Sequence, residues 1–179
     1  FSLAGYNFAR GFAAAMSGKI EESKNYLKEI QTMRKNGFRK NYFKRIEYLQ
    51  VWELEIQAAI KLVEKDYKTS IELLKQAVLL EEKLPAPSGP PRILKPSYEL
   101  LGEVYLKAGK PIQAHEKFSI SLLRHPNRIR SLVGAARAAD AKGDREAAIE
   151  NYKQVIKQYK NANSELPELN EARKFLTKK

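Results

Sequence analysis

The residues with the clearest chemical potential form three basic pairs that are spaced five positions apart. No acidic residue lies between the first pair and the last, and three aromatic residues are interleaved with them. Cations can follow a phosphate backbone while aromatic rings stack on bases, so this segment could bind nucleic acid or another polyanion. In the alternative interpretation, the basic side chains cover apolar surface and the aromatic rings join the core. The six cations are Arg34, Lys35, Arg39, Lys40, Lys44 and Arg45.

Residues that could support catalysis or bind a metal are sparse. The chain contains no cysteine, which excludes disulfides, thiolate zinc sites and a cysteine nucleophile. Its two histidines, His115 and His125, are too few for most metal sites built from protein ligands alone. No Gly-rich phosphate loop, His-Glu-x-x-His motif or Gly-x-Ser-x-Gly motif occurs. We therefore expect no enzymatic activity, no metal and no cofactor.

Length and composition indicate one folded, basic domain. The chain has 179 residues, of which 43% are hydrophobic and 30% are charged, and its formal net charge is +12. No apolar run approaches the roughly 20 residues that a membrane-spanning helix needs, so we expect no membrane insertion. The composition suits the cytoplasm or the periplasm, and the absence of cysteine slightly favours export. Because the chain begins at Phe1, we expect it to be part of a longer protein.

The elements that position these residues follow a period of 34 positions. Gly109 and Gly143 are separated by this interval, and so are Ala114 and Ala148. Tyr98, Leu101-Gly102 and Tyr105 form one helical pattern, Ala114 and Phe118 form a second, and Pro126 ends the unit. Over residues 95–128 this arrangement resembles the tetratricopeptide (TPR) repeat, a helix-turn-helix unit of the same length.

Two earlier units match the repeat pattern less closely but keep one of its features. Gly102 and Ala114 lie 12 positions apart, and the same spacing separates Ala58 from Ser70 and Gly11 from Ser23. A turn at Lys65-Asp66-Tyr67 is expected between the helices of the second unit. We therefore predict an all-α fold, a right-handed TPR-like superhelix of about four hairpins in a single domain spanning 1–179. Its repeats are expected at about 4–37, 51–84, 95–128 and 129–162, insertions at 38–50 and 85–94, and a C-terminal capping helix at 164–178.

A finer resemblance extends from Trp52 to the end of the chain. It rests on Glu81-Glu82-Lys83, Glu99-Leu100-Leu101-Gly102, Pro126-Asn127-Arg128 and the Gly-Ala-Ala-Arg-Ala-Ala run at 134–139. In these segments the chain is similar to the C-terminal part of bacterial TPR proteins of unassigned function. The resemblance implies further helices before Phe1 and no particular activity.

The TPR resemblance also implies a concave groove lined by the first helix of each hairpin. This groove would be apolar at its N-terminal end and charged at its C-terminal end, which suits a peptide or helix with hydrophobic anchors. We therefore predict a non-catalytic scaffold that binds a protein or peptide partner. In the alternative, further hairpins or an insertion cover the aromatic residues, and Arg137 pairs with Asp140 or Glu103. The expected partner-binding residues are Phe8, Phe12, Trp52, Glu55, Glu103, Lys107, Arg130 and Arg137.

Overall fold

A computed structural model describes residues 3–36, 43–84, 93–162 and 166–177. These residues form helices and no strand, which confirms the all-α prediction. The helices in these ranges are α1 (Leu3–Met16), α2 (Ile20–Lys35), α3 (Phe43–Val63), α4 (Tyr67–Lys83), α5 (Ser97–Lys107), α6 (Pro111–Arg124), α7 (Ile129–Ala141), α8 (Arg145–Tyr159) and α9 (Pro167–Thr177).

The chain divides into two compact units, Phe1–Leu100 and Leu101–Lys179, and the division falls within α5. In unit 1, α1 packs against α2, α3 packs against α4, and α3 also contacts α1 and α2. In unit 2, α7 packs against α6 and α8, while α9 lies on α8 and reaches α7. Within each unit, helices that are neighbours in the chain therefore also pack together.

The turns inside the predicted hairpins each contain one residue with a left-handed backbone. Gly18, Gly109 and Gly143 have φ angles of 75°, 69° and 86°, and Lys65 takes this place between α3 and α4 with a φ of 63°. Glycine adopts positive φ without steric cost, whereas lysine does so with strain. The turn expected at Lys65 is therefore confirmed, although it lacks the glycine that marks the other three.

The small residues spaced 12 positions apart are where paired helices meet. The Ser23 hydroxyl donates to the Gly11 carbonyl oxygen over 2.8 Å, and the Ser70 hydroxyl donates to the Ala58 carbonyl oxygen over the same distance. A Cβ atom at Gly11 would lie only 3.0 Å from the Cβ atom of Tyr26 on α2, and 2.9 Å from the Ile56 side chain on α3. The equal geometry in the two pairs indicates that α1–α2 and α3–α4 are built in the same way.

Phe118 occupies the equivalent contact in unit 2. Its ring is fully buried, and a Cβ atom at Gly102 would lie 2.9 Å from it. A Cβ atom at Gly134 would overlap the same ring. The sequence pattern selects Gly102 and Ala136 as the small residues here, whereas the structure gives the closest approach to Gly134 on α7. The Phe118 ring of α6 therefore packs between Gly102 on α5 and Gly134 on α7.

The C-terminal helix covers the core of unit 2, as its apolar stripe predicts. Leu169 and Ala172 are fully buried, and Phe175 and Leu176 pack against the same core. The helix begins at Pro167, a residue suited to the first turn because it has no backbone N–H to leave unpaired. The expected N-cap at Ser164 lies outside the described residues.

Candidate functional site

The aromatic residues expected to anchor a partner belong to the core of unit 1. Phe8 is 2% exposed and Trp52 is 6% exposed, and their rings stack with centroids 5.3 Å apart. Phe12 is half-buried, with its ring 5.8 Å from that of Phe8. Leu49 and Leu94, which come from the two predicted insertions, pack in the same core. The expectation that Phe8 and Trp52 line an open groove is therefore wrong, and both rings belong to a core that one residue from each predicted insertion also contacts.

Glu55 is also buried rather than lining a groove. Its side chain is fully enclosed on α3, where Oε1 accepts a hydrogen bond from the Ser97 hydroxyl over 2.9 Å. Oε2 has no hydrogen-bond partner among the described residues. Three more buried ionisable groups lie in the same unit around Ser97, namely Glu81, Lys95 and Glu99. We call these four groups with Ser97 the Glu55 cluster.

Two further hydrogen bonds organise the Glu55 cluster. The backbone N–H of Ser97 donates to Oε2 of Glu81 over 2.8 Å, and Lys95 Nζ donates to Oε1 of Glu99 over 2.9 Å. Burial raises the pKa of Glu55 well above its ordinary value, and the nearby Glu81 charge raises it further. The Ser97 hydroxyl and the Lys95 ammonium oppose this rise of the pKa. The cluster therefore favours the neutral form of Glu55.

The C-terminal half of the predicted groove is more accessible, but Arg137 is already engaged. Its Nε donates to Oε1 of Glu171 over 2.8 Å, and its Nη2 contacts the second oxygen of the same carboxylate. The Tyr152 hydroxyl donates to Glu171 over 2.7 Å. The partner of Arg137 is thus on α9, and neither Asp140 nor Glu103, the expected partners, takes this role. Arg137 ties α9 to α7.

These contacts shift two acid–base equilibria. Hydrogen bonding from Arg137 is the largest influence on Glu171 and lowers the pKa of its carboxyl below the usual value. Burial, followed by the hydrogen bond to Glu171, raises the pKa of the Tyr152 hydroxyl. Glu171 is therefore ionised and Tyr152 is neutral over the ordinary pH range. These protonation states allow Glu171 to form the ion pair with Arg137 and to accept the hydrogen bond from Tyr152.

A cleft of about 390 Å³ opens beside this ion pair in unit 2. Its aromatic wall is formed by Tyr152 and Phe175, whose ring centroids are 4.6 Å apart, and the Arg145 guanidinium lies 5.3 Å from the Phe175 ring. Acidic and basic side chains both border the opening. The cleft is lined by Arg137, Asp140, Ala141, Tyr152, Glu171, Lys174 and Phe175.

The remaining predicted groove residues also fall in unit 2. Lys107 on α5 and Arg130 on α7 are exposed, and neither has an ion-pair partner within the ranges that the structure describes. Glu103 on α5 is half-buried. Of the eight predicted partner-binding residues, Lys107 and Arg130 therefore remain as free surface charges.

In the described part of the basic segment, Arg34 forms a structural ion pair. Arg34 donates from Nε to Oε1 of the buried Glu53 over 2.6 Å, and from Nη2 to Oε2 over 3.2 Å. This contact also raises the pKa of Arg34. Lys35 is exposed. Arg39 and Lys40 lie outside the described residues, as do the side chains of Lys44 and Arg45. Arg34 therefore joins α2 to α3 and is not a free cation.

Sequence reasoning missed an exposed apolar face on α1. Leu3, Tyr6 and Met16 are 65%, 52% and 45% exposed, and the small residues Ala9 and Ala13 are exposed between them. Their spacing of three or four positions places them along one side of the helix. We call these five residues the α1 face. The sequence contains this stripe, but α1 is apolar on most sides, so periodicity could not show which stripe faces outward.

The described residues contain neither a membrane-spanning helix nor a cluster of metal ligands. None of the described helices is both long and apolar enough to cross a membrane. Within the same residues, no group of three or more His, Cys, Asp or Glu side chains is arranged to hold a metal ion, and this includes the carboxylates of the Glu55 cluster. No protein-family model matches the chain, and a search of curated proteins finds no match.

Proposed function

We propose that this chain is a non-catalytic TPR-like repeat protein of four helix pairs in a right-handed superhelix, which binds a helix of a protein partner along the α1 face. The repeat assignment is supported by the left-handed residue in each of the four turns and by the matching Ser23 and Ser70 hydrogen bonds. The binding assignment is carried by the exposure of the α1 face.

The shape of the α1 face suits another helix. Leu3 and Tyr6 lie at one end and Met16 lies at the other, while Ala9 and Ala13 leave a shallow centre. Helices pack at axial separations of about 8–10 Å, and small side chains at the contact allow the closer separations. A partner helix would cross at the alanines and bury the larger side chains at both ends. Exposed apolar side chains grouped on one side of a helix are typical of interaction sites.

The charge of the chain indicates the rest of the partner's chemistry. With a net charge of +12, the protein attracts an acidic partner over a distance of about one Debye length. An amphipathic helix with an apolar stripe and acidic flanks satisfies both the α1 face and this charge. The apolar contacts would supply most of the affinity, and the charges would mainly raise the association rate.

The test compares two variants of matched chemistry. Leu3→Glu/Met16→Glu places charges on both ends of the α1 face, whereas Leu79→Glu alters an exposed leucine on α4. Each protein is immobilised, exposed to lysate, and the bound fraction is analysed by mass spectrometry and by nucleic-acid staining. A partner that meets the proposal is bound by the wild type and by Leu79→Glu, and its affinity for the double variant falls about 30-fold, or about 2 kcal/mol.

Two results would reject this proposal. Equal partner binding by both variants would show that the α1 face is not the contact. Nucleic acid retained by all three proteins and released by moderate salt would instead favour the polyanion interpretation of the basic segment. Circular dichroism confirms that each variant is folded, and hydrogen exchange on the complex with the purified partner should locate protection on the exposed side of α1.

A further inference from the structure

Glu55 has an unusual environment even for a buried residue. Its Oε1 accepts one hydrogen bond from the Ser97 hydroxyl, and its Oε2 accepts none from the described residues. An ionised carboxylate can accept about four hydrogen bonds, and it loses most of its hydration when it is enclosed by protein. A single hydroxyl donor is therefore a poor replacement for water around a negative charge.

The neighbouring charges make ionisation less favourable still. On α4, the group that acts on Glu55 is Glu81, and before and within α5 the groups are Lys95 and Glu99. Lys95 donates to Glu99, so the one cation of the cluster is already paired with another carboxylate. If Glu55 ionised, its charge would be buried close to the carboxylates of Glu81 and Glu99, which both act against it. Protonation of one carboxyl is the simplest way to remove this electrostatic repulsion.

Among the described residues, no cation of α1 or α2 acts on Glu55. The only charged residue of α1 is Arg10, and it pairs with Glu22 on α2. The buried Glu53, two positions from Glu55 on α3, pairs with Arg34 of α2. Arg10 of α1 and Arg34 of α2 are therefore already paired with carboxylates other than Glu55.

We propose that Glu55 keeps its proton in the folded protein at neutral pH and acts as a pH-sensitive latch for the start of α5, which is released from α3 and α4 when Glu55 ionises. The geometry explains why α5 would respond. Ser97 is the first residue of α5, and it touches Glu55 through its hydroxyl and Glu81 through its backbone N–H. Charge on Glu55 would repel Glu81 across this single residue, so hydration of the carboxylates would compete with the contacts that hold Ser97.

The sign of the effect on stability follows from proton binding. An exposed glutamate in the unfolded chain has its ordinary pKa near 4.5, whereas burial raises the pKa of Glu55 in the folded state. Between these two pKa values the folded state holds one more proton than the unfolded state. Stability therefore falls as pH rises through this window, and the unfolding equilibrium constant rises by up to about tenfold per pH unit from this group.

The experiment isolates this contribution with a neutral isostere. Glu55→Gln keeps an oxygen to accept from Ser97 but cannot ionise, and Glu72→Gln alters an exposed carboxyl on α4 as the matched control. Chemical unfolding is followed from roughly pH 5 to pH 8. The ratio of the wild-type unfolding constant to that of Glu55→Gln should grow by up to about tenfold per pH unit, while the ratio to Glu72→Gln stays flat.

Two measurements on the wild type keep the proposal testable even if Glu55→Gln does not fold. Side-chain carboxyl NMR should show one glutamate that titrates well above the rest, and hydrogen-exchange protection of the Ser97 and Leu100 amides should fall over the same pH range after correction for intrinsic exchange. A ratio of the wild-type to the Glu55→Gln unfolding constant that does not change with pH would overturn the proposal. Titration of every glutamate near its ordinary pKa, or protection at α5 that is independent of pH, would do the same.

Discussion

Replacing Trp52 with alanine tests whether the aromatic residues of unit 1 are core or contact surface. Trp52 is 6% exposed and stacks on Phe8 at 5.3 Å, so the substitution removes a buried ring and leaves a cavity beside a second ring. Buried Trp-to-Ala changes cost about 3–5 kcal/mol, because the loss of transfer free energy and the cavity add together. We expect Trp52→Ala to lower the free energy of unfolding of unit 1 by about this amount.

The Trp52→Phe variant refines the expected magnitude. The indole Nε1 of Trp52 is buried and has no hydrogen-bond partner among the described residues. A buried unpaired donor costs about 1–3 kcal/mol, and phenylalanine removes it while it keeps an aromatic ring against Phe8. This gain offsets much of the lost volume. We therefore expect Trp52→Phe to destabilise the protein by less than about 2 kcal/mol, well below the effect of alanine.

The assay is urea unfolding followed by far-UV circular dichroism, since Trp52 is the only tryptophan and its fluorescence is lost in both variants. Tyr6→Ala is the control, because Tyr6 is an aromatic residue of α1 that is 52% exposed. Its cost should be about 1 kcal/mol or less. A Trp52→Ala protein that unfolds within about 1 kcal/mol of the wild type would refute the assignment of this ring to the core.

Two further predictions concern unit 2. Gly134→Ala should destabilise the protein by about 1–3 kcal/mol despite the better helix propensity of alanine, because the new Cβ overlaps Phe118. Adding Phe118→Leu should recover part of that loss in the same unfolding assay, and strictly additive effects would contradict the clash. Glu171 has a lowered pKa, so its ion pair with Arg137 is complete above about pH 4.5 and is lost as pH falls further. In the wild type, hydrogen-exchange protection of the α9 amides should fall over the same pH range in which the ion pair is lost. Glu171→Gln should lack this acid-dependent step, whereas the control Glu116→Gln should keep it.

The features that sequence predicted are those in which the chemistry is local and repeated. Spacings of 12 positions located the helix contacts at Ser23 and Ser70, because a small residue is needed wherever paired helices touch. The turn at Lys65 and the buried stripe of α9 were found for the same reason. Such patterns involve residues of one hairpin or one helix. Because these residues are close in sequence, their spacing can be recognised from the sequence alone.

The features that sequence did not predict depend on distant partners. Ser97 bonds to a residue 42 positions away, and Arg137 bonds to Glu171 at a distance of 34 positions on a helix outside the repeats. Charged residues appear on exposed faces so often that their types alone do not reveal a buried cluster. For α1 the difficulty was the opposite one, because apolar residues on most sides of the helix concealed which stripe was free.

The left-handed lysine between α3 and α4 has a consequence for which residues this turn accepts. Glycine at position 65 would relieve about 1–2 kcal/mol of backbone strain, but it would also give the unfolded chain more conformational freedom, at a cost of about 0.4–1 kcal/mol. The second effect offsets about half of the first, so lysine costs this turn only about 1 kcal/mol relative to glycine. The left-handed backbone of a turn can therefore form where no glycine marks it in the sequence.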